Sequence, residues 1–199
     1  MSATDQIASI AAGLVVDEGM EYAVAKRKAL RQVRGDSGSR GELPSNEQLE
    51  AAVHEHIALF CADTQPAELR ALREVALVCM QRLSEFRPHL SGAAWRGTAT
   101  RLSSVHIDLY CDDPKLAEIA LINARVQYDS GALERAGQRE PTPVLTLTAP
   151  SAALGEPATV HLLLHDADVQ RGALKPDAQG RSWRGDIAAL QRLLAEEAA

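Results

Sequence analysis

The chain contains few cysteines, and they lack the spacing typical of disulfide frameworks and zinc sites. The three cysteines, Cys61, Cys79 and Cys111, are odd in number and widely spaced, with no Cys-x-x-Cys pair. A disulfide framework and a zinc finger are therefore excluded. Aromatic residues make up only 4% of the sequence, which is too few for a surface on which successive bases of a single strand stack.

Long apolar runs and a large net charge are also absent. No stretch approaches the roughly 20 apolar residues that span a bilayer, and the N-terminal segment carries Asp5 where a signal peptide has basic residues. We therefore expect a cytoplasmic protein with no membrane partner. The net charge of -6 argues against nonspecific nucleic-acid binding by the whole surface. A hydrophobic content of 46% is enough for a globular core.

The first hundred residues have helical periodicity. Apolar residues recur at helical spacing up to Gly19, and a second helix is predicted from about Met20 to Val33. After a Gly/Ser/Pro-rich stretch, Ser45 and Gln48 form a capping box that begins a third helix. A fourth helix has the most regular apolar stripe, formed by Leu69, Leu72, Ala76, Cys79, Leu83 and Phe86. We divide the chain into a helical region, residues 1–64, and a second domain, residues 65–199.

From Pro88 onward the periodicity becomes that of strands. The stretch HLSGAAWRG predicts a short strand that ends at Gly97, and SSVHIDLYC alternates apolar and polar residues as a second strand does. A helix capped by Asp112 or Asp113 follows, then strands near residues 126–128, 143–148 and 159–165, and a last helix begins at Asp186. This order predicts an α/β (α+β) domain preceded by a helical segment.

The segment GTATRLSSVHIDLYCDD, residues 97–113, resembles the motif of the polymerase-beta-like nucleotidyltransferase superfamily. In that family a Gly-Ser pair closes one strand, and the next strand carries Ser-Asp-Ile-Asp-Leu. Glycine lets backbone N–H groups approach a triphosphate, and carboxylates two residues apart on a strand share a face where they hold divalent ions. The resemblance implies a mixed sheet with flanking helices. It also implies nucleotide contacts from Gly97, Thr98, Ser103 and Ser104.

The metal-binding part of this motif is altered. Aligning Ser103 with the motif's serine puts Ser104 and His106 at the aspartate positions, whereas aligning Ile107–Leu109 leaves His106 and Asp108 there. In either alignment at least one of the two metal-binding carboxylates is missing. A histidine in its place can bind a divalent ion, but magnesium prefers oxygen ligands. The resemblance implies that His106 and Asp108 are the catalytic and metal-binding residues, with Mg²⁺ or Mn²⁺ as cofactor if the protein is active and none otherwise.

Later strands offer further metal-ligand candidates. A third carboxylate would come from Asp166 or Asp168. His161 and His165 share a strand face and form an alternative metal site if the fold brings them to His106, whereas strand histidines are more often partly buried hydrogen-bonding residues. A purely structural interpretation of residues 97–113 also stays open. Gly-Thr-Ala is a common turn sequence, and alternating polar residues are typical of any half-exposed strand.

A wider resemblance covers most of the chain. The stretches EYAVAKRKALRQV and DTQPAELRALRE, together with residues 97–113, are similar to a proteobacterial group of nucleotidyltransferase-domain proteins. This resemblance implies no particular substrate.

Three functions stay open. We favour a degenerate nucleotidyltransferase-like protein that is a nucleotide-binding or regulatory module. The first alternative is an active, divergent enzyme that transfers a nucleoside monophosphate from a triphosphate to an acceptor. The second is an adaptor that binds RNA or protein through the basic helix, where Arg27, Arg31 and Arg34 fall within about 60° of one helical face.

Overall fold

The computed structural model describes residues 2–34, 42–134, 140–174, 180 and 182–197. Its helices are α1 (Ala3–Glu18), α2 (Tyr22–Arg34), α3 (Asn46–Phe60), α4 (Gln65–Arg82), α5 (Gly92–Arg96), α6 (Pro114–Asn123), α7 (Gln170–Ala173) and α8 (Ile187–Glu196), with 3-10 turns at Ser84–Phe86 and Ala167–Val169. Its strands are β1 (His89–Ser91), β2 (Val105–Cys111), β3 (Asp129–Leu133), β4 (Thr142–Ala149), β5 (Ala158–Asp166) and β6 (Arg184–Gly185). The predicted fold class is confirmed: a helical segment precedes a mixed sheet with flanking helices.

Residues Met1–Ala67 and Thr98–Leu102 form one compact unit. Ser2 and Ser45 begin α1 and α3 with capping boxes, and Gly19 ends α1 in the left-handed conformation at φ 66°. Helix α1 packs against both α2 and α3, because each helix turns one apolar stripe inward. The core of this unit is formed by Ile7, Ala11, Leu14, Val15, Val16, Ala25, Ala29, Leu30, Leu49, Val53 and Ile57.

Residues Glu68–Gly97 and Ser103–Ala199 form a second compact unit around the sheet. The strand order is β3-β4-β5-β2-β1-β6. Strands β2 and β5 are parallel, and the other described neighbours are antiparallel. Because side chains alternate along a strand, one face of the β2–β5 pair is apolar, and it buries Val105, Ile107, Leu109, Val160, Leu162 and Leu164.

Two local predictions were wrong. The strand predicted over HLSGAAWRG ends at Ser91, because Gly92 takes φ 68° and Gly92–Arg96 continues as α5. The strand expected near residues 126–128 lies instead at Asp129–Leu133, where it pairs with β4. The predicted strands near 143–148 and 159–165 are confirmed as β4 and β5. The domain boundary after residue 64 stays a prediction.

Within the described residues, no helix has both the length and the apolar character needed to cross a membrane.

Candidate functional site

The second compact unit carries a polar face on its sheet, opposite the apolar face. The strand register and the alternation of side chains bring to this face polar residues from four neighbouring strands. These residues, which we call the polar sheet face, are His89 and Ser91 of β1, His106, Asp108 and Tyr110 of β2, His161 and His165 of β5, and Arg184 of β6. Four of the six histidines of the chain lie here, so the chemistry of this face is dominated by imidazole.

Asp108 is the buried charge on this face. Its side chain is 1% exposed, and both carboxylate oxygens have cationic or N–H partners. His165 Nε2 lies 2.6 Å from Oδ1, and Arg184 Nε donates to Oδ2 at 2.8 Å. An ionised carboxylate only accepts hydrogen bonds, so His165 carries its hydrogen on Nε2. The result is a bridged Arg–Asp–His group that joins β6, β2 and β5.

The pKa of Asp108 reflects a balance of opposed effects. Burial of the carboxyl group is the largest effect and raises its pKa. The hydrogen bond from His165, the charges of Arg184 and His165, and a hydrogen bond from Ser91 together outweigh burial and lower the pKa of Asp108 to about 2. Asp108 is therefore ionised throughout the physiological pH range, and its charge is neutralised by protein groups.

Aromatic rings surround this group. Tyr110 stacks on His165 with ring centroids 5.4 Å apart and meets His89 edge-on at the same distance. Farther along the strands, the rings of His106 and His161 lie 5.1 Å apart. The Nδ1 atom of His161 is 2.9 Å from Thr146 Oγ1. His106 therefore faces His161 across the β2–β5 pair.

These contacts do not fit a divalent metal centre. A magnesium or manganese site needs several oxygen ligands with accessible lone pairs, whereas His165 and Arg184 bind both oxygens of Asp108. Among the described residues, no group of three or more His, Cys, Asp or Glu side chains is arranged to hold a metal ion. The geometry is that of an internal ion pair in which the guanidinium group supplies the positive charge.

Comparison with known proteins gives fold-level matches of low similarity. No protein-family model and no curated protein matches the sequence. Solved structures that match include Cid1 with the UTP analogue UMPNPP, at 19% identity and a TM-score of 0.34. The Cid1 poly(U) polymerase with MgGTP matches at 17% identity and a TM-score of 0.35. A cytoplasmic RNA terminal U-transferase matches at 21% identity and a TM-score of 0.33. Each match covers 56% of this chain, but only 37%, 38% and 37% of the respective matched chains. Such matches do not assign a family.

The residues predicted to contact a nucleotide lie between α5 and β2. Gly97 ends α5 at φ 86°, and a Cβ built on it would be 3.8 Å from Arg73 Nη2. Thr98 is 2% exposed, and its Oγ1 has no hydrogen-bond partner among the described residues. Ser103 and Ser104 are half-buried in the turn before β2. Their roles in nucleotide binding stay predictions.

The candidates for a third carboxylate do not meet Asp108. Asp166 is exposed at the end of β5. Asp168 lines a separate cavity of about 390 Å³ together with Arg87 and Asp112. His161 and His165 do share a face with His106, but His165 binds Asp108 while His161 faces His106. The three histidines therefore do not converge on one point.

The basic helix is α2 of the first compact unit. Arg27 and Arg31 are exposed, and Arg27 Nε donates to the Ala23 carbonyl of the same helix. The side chain of Arg34 lies outside the described part of the structure. A partner-binding role for these arginines stays a prediction.

Arg184 was not among the residues predicted for the site, and the sequence did not indicate that His165 would bind Asp108. The sequence did contain a clue, because Asp108 is a lone carboxylate within the apolar strand VHIDLYC. A charge in such a strand is buried only with a counter-ion, so a cation had to come from elsewhere. Its position could not be deduced, since Arg184 lies 76 residues from Asp108.

Proposed function

We propose that this protein is a nucleotidyltransferase-like module that has lost nucleotide transfer and acts by binding a nucleotide or regulating a partner. Membership of the polymerase-beta-like superfamily, and of its proteobacterial nucleotidyltransferase-domain group, is part of the proposal. It is supported by the resemblance of residues 97–113 to that family's motif and by a mixed sheet with flanking helices.

One observation carries the loss of catalysis: Asp108, the motif carboxylate that remains, is held by His165 and Arg184. For Asp108 to ligate a metal, an oxygen would have to leave one of these partners. That exchange would break a charge-assisted hydrogen bond between the buried carboxylate and a mostly buried guanidinium or imidazole, at a cost of several kcal/mol. His106, the other proposed ligand, faces His161 and adds no oxygen.

Nucleotide binding rests on Gly97 and on the backbone that follows it. The buried guanidinium of Arg73 lies next to Gly97, donates to the carbonyls of Ala94 and Trp95, and pairs with Glu197, so it holds this backbone in place rather than offering a free charge. A glycine without a side chain lets backbone N–H groups approach phosphate oxygens. We propose that Gly97, Thr98, Ser103 and Ser104 contact the triphosphate.

The test is calorimetric titration of ATP and UTP, each with and without Mg²⁺ or Mn²⁺. A transfer assay with α-labelled triphosphates and RNA or protein acceptors runs in parallel. We expect binding that does not require metal, and no label transferred. Ser104→Ala should lower affinity about tenfold, because it removes a half-buried hydroxyl that we propose contacts the triphosphate. The same variant should unfold like wild type.

The outcomes separate the two halves of the proposal. Metal-dependent transfer that Asp108→Asn abolishes would show an active enzyme and refute the loss of catalysis. Absence of binding for both nucleotides, with and without metal, would refute the nucleotide-binding half.

A further inference from the structure

A groove runs between α1 and α3 in the first compact unit. Its volume is about 460 Å³, and we call it the α1–α3 groove. Small side chains, including Ala8 and Ala51, form part of its lining. Small residues allow the backbone of a docked helix to come close. The groove therefore has the size and shape for side chains from one turn or two of another helix.

One end of the groove is apolar. Leu59 is 75% exposed and Phe60 is 72% exposed, the largest fractions among the exposed large hydrophobic residues of the described structure. The core-facing stripe of α3 consists of Leu49, Val53 and Ile57, so Leu59 and Phe60 are not needed to pack α3 onto α1. Exposed aromatic and aliphatic side chains beside a groove are typical anchors of a protein interface.

The rest of the groove is polar and carries two carboxylates. Asp5 from α1 and Glu55 from α3 line it together with His56, and both carboxylates are exposed, although Asp5 also accepts the Ser2 backbone N–H of the α1 capping box. Glu55 precedes Leu59 by one helical turn, so a negative charge stands next to the apolar anchors. The surface would attract a helix that presents an apolar residue followed by basic residues.

Helix α2 of this chain has that pattern on its outer side. Val24 is 46% exposed, and Arg27 and Arg31 follow it at helical spacing, both exposed. Within the described residues, neither arginine has a carboxylate partner. From Val24 to Arg31 the stripe is about 10 Å long, and the Gln48–Phe60 stretch of α3 along the groove is about 18 Å.

We infer that the α1–α3 groove binds α2 of a second copy of this chain. Val24 packs against Leu59 and Phe60 of the other copy, Arg27 pairs with Glu55, and Arg31 pairs with Asp5. Because the two surfaces differ, the contact is head-to-tail, and each added copy offers another groove and another α2.

Sedimentation velocity of the full chain tests this. We expect association that grows with concentration into the high micromolar range and weakens as salt is added. Phe60→Asp should weaken association about 30-fold through loss of an anchor. Reversal of both arginines, Arg27→Glu with Arg31→Glu, should weaken it about tenfold or more.

The decisive experiment mixes the Phe60→Asp variant with the Arg27→Glu/Arg31→Glu variant. The Phe60→Asp chain keeps a working α2, and the Arg27→Glu/Arg31→Glu chain keeps a working groove. Each should be monomeric alone, whereas the mixture should form a one-to-one dimer that grows no further. Exposed control positions, Leu116→Asp on α6 and Arg192→Glu on α8, should associate like wild type.

Several results would overturn the inference. These are a monomer at every concentration, self-association that Phe60→Asp leaves unchanged, and a mixture of variants that stays monomeric. All the substituted side chains are exposed, and circular dichroism of each variant checks that it folds like wild type.

Discussion

Replacing Asp108 with asparagine should destabilise the sheet-containing unit by about 2–4 kcal/mol. The substitution keeps the shape of the side chain but removes the negative charge that His165 and Arg184 share. The folded-state pKa of Asp108 is about 2, against a usual value of 3.8. At about 1.4 kcal/mol for each pKa unit, that difference corresponds to roughly 2 kcal/mol, the lower end of the expected range. Removing one member of a buried pair costs about 3–5 kcal/mol in other proteins, and the middle of that range sets the upper end.

Urea denaturation followed by tryptophan fluorescence measures this loss. Trp95 and Trp183 both belong to the second compact unit, so the signal reports on the unit that holds Asp108. The matched control is Asp166→Asn, because Asp166 is an exposed carboxylate at the end of β5. It should change the free energy of unfolding by less than about 0.5 kcal/mol.

The pH dependence gives a second, independent check. Asp108 has a depressed pKa in the folded state, so between pH 4 and pH 2, roughly, the unfolded state binds more protons. Its contribution is complete above about pH 4 and is lost as the pH falls through about 2. The Asn variant should lack this part of the acid dependence. If Asp108→Asn unfolds within about 0.5 kcal/mol of wild type, or keeps the full acid dependence, the ion pair is not a stabilising element.

Three further substitutions, with one control, test the packing and the helix ends. A Cβ on Gly185 would overlap the Trp95 ring, so Gly185→Ala should cost about 1–3 kcal/mol in urea denaturation. Gly131→Ala, where a Cβ meets nothing within 4 Å, should cost less than about 0.5 kcal/mol. Ser45→Ala removes the hydrogen bond that the Gln48 backbone N–H donates to Ser45 Oγ, while the bond from the residue 45 backbone N–H to Gln48 Oε1 stays, and should lower stability by about 1 kcal/mol. Gly19→Ala should cost more than about 1 kcal/mol by hydrogen-exchange or urea measurements, because φ is 66° and the new Cβ would lie 3.0 Å from the Leu102 carbonyl oxygen.

Local features of the fold were predictable because they depend on neighbouring residues. Ser45 with Gln48 and Asp113 before Pro114 confirm the predicted helix starts, since a cap needs only a side chain and an N–H two or three residues away. The end of β1 at Ser91 was not predictable. The stretch from Gly92 to Arg96 becomes helical, although its short Ala-rich sequence fits either state.

The candidate site was predictable only in part, because its decisive contacts are long-range. The alternation in β2 correctly placed His106 and Asp108 on one face. The partners of Asp108 come from 57 and 76 residues farther along the chain. No local pattern distinguishes Arg184 from the other arginines, since what selects it is the register between β6 and β1. The apolar strand VHIDLYC was the local clue that Asp108 is buried, but the extent of its burial depends on the whole sheet.

The bridge between Asp108 and Arg184 also sets an order of events as the chain is synthesised. Strand β2 emerges from the ribosome well before Arg184 does, with its carboxylate still hydrated. Moving that charge into an apolar interior without a counter-ion is unfavourable, so β2 should stay solvated until β5 and β6 arrive. The sheet then forms in one late step, in which the loop-closure entropy of all its distant strands is lost at once. A nascent chain that stops short of Arg184 should therefore contain helices but no closed sheet, and chaperones would encounter it in that form.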